Sequence, residues 1–147
     1  MTPPRIAAFA VLALAGCGPS AGPPLAPVSG TVTLDGKPLS GAVVSFIPTG
    51  DTPGGGGDGR TGPDGKYTLR SRHGGGVAAG EYRVVVSKRV MPNGSDVPPD
   101  DPTPPSESPA REILPYYSDR SSPVLTATVP TAGATVDLPL QSRGKPR

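Results

Sequence analysis

The sequence predicts an all-β fold, a single β-sandwich of about seven strands. Short runs of alternating apolar and polar residues recur after residue 27 and are separated by turn signals. Glycine and proline account for 21 and 22 of the 147 residues, which supplies many turns. No segment after Leu14 shows a sustained helical period. These three observations favour strands joined by turns over helices.

The first predicted strand spans residues 28–34 and has one buried face. That face would carry Val28, Gly30, Val32 and Leu34. Asp35-Gly36 is a strong hairpin signal because glycine, and often aspartate, tolerates a positive φ. We therefore expect residues 42–48 to form the return strand. Because this run is apolar on both faces, it should lie near the middle of a sheet.

Further strands are predicted on the same alternation, at residues 66–70, 80–88, 124–129 and 135–140. Pro63-Asp64-Gly65 should form a tight turn before the first of them. Tyr67 and Tyr82 are expected to bury their rings while their hydroxyl groups reach backbone or water.

Two segments are predicted as flexible loops. Residues 49–59 contain four consecutive glycines, 54–57, for which simple flexibility is the preferred interpretation. Residues 89–112 are rich in proline, and their central part, 90–109, has no apolar period. Such a stretch buries too little surface to offset its ordering entropy, so we expect a disordered or loosely tethered loop. Residues 141–147 should form a solvated basic tail.

The N-terminal residues have the pattern of a signal peptide, with Arg5 before an apolar run at 6–14. This run of about nine residues is well short of the ~20 needed to span a bilayer. It ends in Leu14-Ala15-Gly16-Cys17, which resembles the lipobox of bacterial lipoproteins. The resemblance implies cleavage between Gly16 and Cys17, and lipid attached to Cys17. The alternative is an ordinary signal peptide with an incidental cysteine.

Removing residues 1–16 from the 147-residue chain leaves 131 residues, which suits one domain. Only one of the 14 basic residues would be lost, so 13 basic and 12 acidic residues would remain. This balance, with aromatics at 4%, argues against a nucleic-acid partner. Residues 17–27 would be a lipidated, proline-rich tether that reaches at most ~30 Å.

The order of the motifs resembles the carboxypeptidase regulatory-like domain. The motif Val-x-Gly-x-Val-x-x-Asp-Gly-Lys-Pro-Leu-x-Gly-Ala-x-Val-x-Phe occupies residues 28–46. Gly-x-Asp-Gly-x-Tyr-x-Leu lies at 62–69, and Gly-x-Tyr-x-Val-x-Val lies at 80–86. The resemblance implies a transthyretin-like (prealbumin-like) Greek-key sandwich over residues 28–140. The C-terminal part has Leu-Pro-Tyr-Tyr at 114–117 and Ser-Pro-x-Leu-Thr at 122–126, and with these it is similar to small secreted lipoproteins of planctomycete-type bacteria.

No motif in the chain points to catalysis, a cofactor or a metal. His73 is the only histidine, so a cluster of several histidines is impossible within one chain. We expect it exposed in a loop, although an enzyme would have to use it as the base. Six aspartates could supply calcium ligands, but their spacing matches no EF-hand loop. These are Asp51, Asp58, Asp64, Asp96, Asp100 and Asp101.

The sequence therefore predicts a lipid-anchored, extracytoplasmic module that acts as a non-enzymatic structural element or binds an envelope protein or glycan. Because Gly18 follows Cys17 in place of an aspartate, the resemblance to lipoproteins favours the outer membrane. The alternative is a carbohydrate- or calcium-binding receptor domain that uses residues 49–59 and 90–109.

Overall fold

The computed structural model describes residues 22–143, and over this range the chain is all-β. Strands account for 43% of these residues and helix for 3%. In chain order the elements are β1 (Leu25–Ala26), β2 (Val28–Leu34), β3 (Lys37–Pro38), β4 (Val43–Pro48), β5 (Gly57–Arg60), β6 (Lys66–Thr68), β7 (Arg70–Ser71), β8 (Gly74–Gly75), β9 (Val77–Ala78), β10 (Gly80–Ser87), β11 (Arg89–Val90), β12 (Arg111–Glu112), α1 (Pro115–Ser118), β13 (Leu125–Val129), β14 (Ala134–Thr135) and β15 (Leu138–Leu140).

The larger sheet is antiparallel and has the strand order β13-β10-β4-β5-β7-β8. Strand β4 lies in its middle, between β10 and β5, as the apolar run at 42–48 predicts. In β10, Tyr82, Val84 and Val86 are buried, which confirms the alternation predicted for residues 80–88. Val85 on the opposite face is also buried, so this strand is covered on both sides at its centre.

The smaller sheet is built around β2. Strands β3 and β6 pair antiparallel with it, whereas β14 and β15 pair parallel with it. The register of β14 and β15 against β2 has the same offset, so residues 134–140 behave as one interrupted strand. At the interruption the side chain of Asp137 accepts a hydrogen bond from the Thr31 N–H at 2.9 Å. A side chain there replaces one bond of the backbone ladder.

The buried apolar side chains of both sheets form one cluster. Its largest fully buried members are Tyr82, Tyr117, Phe46, Leu69 and Leu140. The rings of Phe46 and Tyr82 are tilted at 46°, with their centroids 5.7 Å apart. Leu114 and Tyr117 bring the single helical turn α1 into the same cluster. One contiguous core of this kind is typical of a single domain.

The hairpin predicted at Asp35-Gly36 is confirmed, because their φ angles are 51° and 82°. Its return strand is β3, which pairs with the end of β2. The prediction that residues 42–48 form this return strand is wrong. The chain turns at Gly41, where φ is 69°, and β4 joins the larger sheet instead. The Leu39 N–H still donates to the Val32 carbonyl oxygen at 2.9 Å, so the hairpin extends to Leu39 before the chain turns away.

The folded region begins before residue 28, where the sequence analysis placed the end of the tether. Leu25 and Ala26 pair with Ala78 and Val77, and Ala26 is only 1% exposed. Prolines flank this dipeptide on both sides, so the sequence here lacks the alternation of apolar and polar residues that predicts a strand. The prediction of a tether that continues through residue 27 is therefore wrong over its last three residues.

Both predicted loops contain ordered strand pairs. Strand β5 begins at Gly57, inside the predicted loop 49–59, and pairs with β4. A Cβ at Gly56 would lie 2.0 Å from the Phe46 carbonyl oxygen, so this glycine permits close backbone packing. Simple flexibility is therefore the wrong interpretation for Gly56 and Gly57. At the ends of the predicted loop 89–112, β11 pairs with β12.

Over residues 22–143 the structure has fifteen strands, more than the seven or so that the sequence predicts, because many of them are short pieces. Eight of the fifteen strands contain only two residues, and six of these are not joined to another strand in the grouping that follows: β1, β3, β8, β9, β11 and β12. The other nine group into seven when β6 is joined to β7 and β14 to β15. The break between β6 and β7 occurs because the chain crosses from the smaller sheet to the larger one at Leu69.

Candidate functional site

The N-terminal segment enters the fold at one end of the two sheets. Strand β1 pairs with β9, which directly precedes β10, so residue 25 lies near the start of β10. The last residue of β13 lies here as well, because Val129 is paired with Gly80. We call this the tether end of the molecule.

The opposite end carries the long proline-rich loop, residues 91–110, which we call the distal loop. Strand β10 separates the two ends, and its eight residues span about 24 Å. The distal loop follows β11 and returns through β12, beyond the last residue of β10. Loop 49–56, in contrast, contacts the start of β10: the Thr52 hydroxyl accepts a hydrogen bond from the Glu81 N–H at 2.9 Å. The two loops therefore lie at opposite ends and do not form one shared site.

Lys88 holds the beginning of the distal loop. Its ammonium group pairs with the Asp96 carboxylate, with Nζ and Oδ1 2.5 Å apart, and donates to the Ser40 carbonyl oxygen. Lys88 is 8% exposed, so this cation is withdrawn from water and needs both partners. The charged side chain thereby connects the loop to the turn that follows β3.

Glu112 holds the other side of the loop base. Its carboxylate accepts hydrogen bonds from the backbone N–H groups of Lys88, at 2.9 Å, and Leu114, at 2.8 Å. It also accepts a hydrogen bond from the Ser87 hydroxyl group. Three donors on one carboxylate fix the junction of β10, β12 and α1.

Two arginines bind carbonyl groups within and next to the distal loop. The guanidinium group of Arg89 donates to the carbonyl oxygens of Ala110, at 2.7 Å, and Pro105, at 3.2 Å. Arg60 donates to the Val97 carbonyl oxygen at 3.3 Å. With the backbone bridge between Val90 and Asp96, these contacts fix the distal loop at several points. Of the two states predicted for this segment, disordered or loosely tethered, these contacts agree with the tethered one.

The C-terminal end of the described chain also lies at the distal end. Asp35, in the first hairpin, accepts a hydrogen bond from the Ser142 N–H at 3.1 Å. This contact with Ser142 lowers the pKa of the Asp35 carboxyl group. The predicted basic tail at 141–147 therefore leaves the fold on the side opposite β1. Its residues 144–147 lie outside the described part of the chain.

The two tyrosines behave as predicted. The Tyr67 hydroxyl donates to the Val136 carbonyl oxygen at 2.6 Å, and the Tyr82 hydroxyl donates to the Ala78 carbonyl oxygen at 2.7 Å. Burial raises the pKa of both groups, and the nearby Asp137 raises that of Tyr67 further. Both rings are therefore structural, because their hydroxyl groups are committed to backbone acceptors inside the fold.

His73 is exposed at the tip of the hairpin formed by β7 and β8. Its Nε2 atom accepts a hydrogen bond from the Arg72 Nε–H at 2.9 Å. No hydrogen bond or ion pair in the described range joins it to a carboxylate. The arrangement lacks the oriented acid that a histidine base requires.

The six aspartates considered as calcium ligands are dispersed over several elements. Asp58 lies in β5, Asp64 in the turn before β6, and Asp96 is paired with Lys88. Asp101 caps its own loop by accepting from the Thr103 N–H at 2.9 Å, which lowers its pKa. Within residues 22–143, no group of three or more His, Cys, Asp or Glu side chains could hold a metal ion.

Gly16 and Cys17, the predicted cleavage and lipidation residues, lie outside the described residues, as does the whole predicted signal peptide. Over residues 22–143, no helix is long and apolar enough to cross a membrane.

Sequence reasoning missed the residues that hold the distal loop. A signal for them exists in the charges that flank it, Lys88-Arg89 on one side and Arg111-Glu112 on the other. Opposite charges at the two ends of a long insertion favour a closed base. The contributions of Asp96 and Ser40 have no comparable signal, because they depend on how the loop and the first hairpin meet in space.

Comparison with known proteins gives no relative that assigns a function. No protein-family model matches the chain, and neither the curated proteins nor the solved structures give a significant match. The resemblances to lipoproteins and to the carboxypeptidase regulatory-like domain therefore stay predictions.

Proposed function

We propose that this protein is a lipid-anchored, non-enzymatic module of the cell envelope that presents its distal loop to an envelope protein or glycan. Lipid on Cys17 anchors the chain to a membrane of the envelope, so that the folded domain lies outside the cytoplasm. The outer membrane is the favoured site. The β-domain then serves as a rigid support between the membrane and the presented loop.

The observation that carries this proposal is the placement of the two ends. The tether enters at β1, whereas the distal loop is fixed about 24 Å away, beyond the end of β10. Because the fold begins at Leu25, the chain from Cys17 reaches at most about 25 Å. A short tether at one end and a fixed loop at the other suit a module that points away from a surface.

The fold is proposed to be a transthyretin-like sandwich of the carboxypeptidase regulatory-like type. Its support is the position of the motif residues: Asp35 and Gly36 form the first hairpin turn, and Gly65 ends the second turn with a φ of 75°. The two sheets with one shared core agree with the coarser part of this assignment.

The non-enzymatic character is supported by what the polar side chains do. Lys88, Glu112 and Arg89 form hydrogen bonds with backbone groups, and these bonds hold the distal loop. These hydrogen bonds fix backbone segments in place, which is a structural role. Function on such a fold is expected to come from the surface it presents.

Fractionation of cells that express the full chain tests the anchoring. The wild type should stay with the membranes after a high-salt wash, because salt removes proteins held by charge alone. Cys17→Ser should move to the soluble fraction, while Gly18→Ala serves as a matched control and should stay bound. Retention of Cys17→Ser on washed membranes contradicts the proposal.

A further inference from the structure

A cleft of about 520 Å³ lies on the flank of the molecule, where β5 and β6 separate into different sheets. Strand β5 pairs with β4 along its length but with β7 only between Asp58 and Arg70. Strand β6 pairs with β2 in the smaller sheet. The side chains that line the opening come from both sheets, and the polar ones are Asp58, Arg60, Lys66, Thr68 and Arg70.

The cleft has an excess of positive charge. Arg60, Lys66 and Arg70 stand against one carboxylate, Asp58, and all four side chains are exposed. Over residues 22–143 the Lys88–Asp96 contact is the one ion pair, so the three cations of the cleft are not neutralised by bound carboxylates there. A concave surface lined by one sign of charge attracts anions of the opposite sign.

The cations follow the strand direction. Arg70 is directly opposite Asp58, and Arg60 lies two residues further along β5, a distance of about 7 Å. Lys66 begins β6 on the facing wall. A row of charges at this spacing fits an extended chain with an anion on successive units better than it fits a single small ion.

The lining also distinguishes between classes of polymer. Neutral sugars are usually held by an exposed aromatic ring, but Tyr67, the one aromatic residue of the cleft, is 2% exposed. Its hydroxyl group is already bonded to Val136. Charge must therefore provide the attraction, and arginine side chains pair well with carboxylates in a two-pronged geometry.

We propose that this flank cleft binds a carboxylated polysaccharide of the cell envelope, with Arg60, Lys66 and Arg70 pairing with its carboxylates. The inference goes beyond the proposed function, which concerns the distal loop, and rests on it only for the location of the polymer. The cleft lies beside β5 and β6, along the flank between the tether end and the distal end. A polymer that runs alongside the anchored domain could reach this position. Phospholipid headgroups would lie at the tether end instead.

The test uses the full chain in detergent and labelled polygalacturonate as the probe. Saturable binding is expected at about 20 mM salt and should weaken strongly at about 200 mM, where charges are better screened. Replacing the three cations together, by Arg60→Gln, Lys66→Gln and Arg70→Gln, should weaken binding about tenfold or more, and Lys66→Gln with Arg70→Gln, which leaves the Arg60 hydrogen bond to the Val97 carbonyl oxygen intact, should account for most of this loss. Neutral dextran of similar length should not bind.

A matched triple variant controls for net charge. Arg83→Gln, Arg111→Gln and Arg120→Gln remove the same charge at exposed positions outside the cleft and should change the affinity less than about threefold. Equal loss in both triple variants would overturn the assignment, as would binding to anionic phospholipid vesicles without binding to polygalacturonate. Cys17→Ser should leave polymer affinity unchanged, so a failure of anchoring and a failure of this site are distinguishable.

Discussion

Lys88 and Asp96 close the base of the distal loop through an ion pair in which the two side chains differ sharply in exposure. The Lys88 side chain is 10% exposed and that of Asp96 is 47% exposed. Removing the carboxylate therefore leaves a buried ammonium group with only the Ser40 carbonyl oxygen as partner. Removing the ammonium group leaves a carboxylate that water can reach.

This asymmetry predicts that the two partners are unequal in a stability measurement. Asp96→Ala should lower the free energy of unfolding by about 1–3 kcal/mol, whereas Lys88→Met should lower it by about 1 kcal/mol or less. Urea unfolding measures both, with Asp100→Ala as an exposed control in the same loop. A larger cost for Lys88→Met than for Asp96→Ala would show that the pair is not organised in this way.

Gly30 should not tolerate a side chain. An added Cβ would lie 1.9 Å from the Val136 carbonyl oxygen, where β2 meets the interrupted strand of β14 and β15. Gly30→Ala should therefore destabilise the fold by roughly 3 kcal/mol or more. Gly55→Ala is the matched control, because nothing lies within 4 Å of its added Cβ. Thermal unfolding of the two variants checks the difference, and equal melting temperatures would contradict the close approach.

Tyr67 should make the fold sensitive to alkali. Its pKa is raised in the folded state, so the folded protein keeps the phenol proton that the unfolded chain loses above about pH 10. The stability from this group is complete below pH ~10 and falls as the pH rises beyond it. Tyr67→Phe should lower stability at neutral pH by about 1 kcal/mol but reduce the decline above pH ~10. Parallel alkaline unfolding curves for wild type and variant would contradict this prediction.

The first strand should contribute to stability even though it has only two residues. Ala26 is 1% exposed and faces the core, so Ala26→Asp would bury a carboxylate without a partner. We expect a loss of about 3 kcal/mol in the free energy of unfolding. Ala132→Asp makes the same change at an exposed alanine and should cost less than about 0.5 kcal/mol. Similar urea midpoints for the two variants would place residue 26 outside the fold.

Local patterns predicted the elements whose signals are local. The alternation in residues 28–34 and 80–88 follows directly from which side chains are buried, and the Asp35-Gly36 turn follows from backbone preference. The sequence predicts that the hydroxyl groups of Tyr67 and Tyr82 bond to backbone or water, because a buried phenol needs an acceptor, but it does not identify the acceptor residues.

The features that the sequence analysis missed depend on contacts between distant segments. The alternation in residues 42–48 predicts a strand but not its partner, because periodicity does not show where a chain crosses between sheets. Strand β4 pairs with β10 and β5 and not with β2. Gly56 and Gly57 resemble a flexible linker until the Phe46 carbonyl and the Val77 side chain lie against them. The residues at the base of the distal loop, Lys88 and Glu112, come together only after the two strands that flank the loop have paired.

Attachment of the chain through Cys17 is the central claim of the proposed function. Mass spectrometry of the N-terminal peptide of the protein purified from membranes measures this directly. We predict a chain that starts at Cys17 and carries the added mass of lipid on that residue. An unlipidated Cys17, or a mature chain that starts at another residue, would contradict the account.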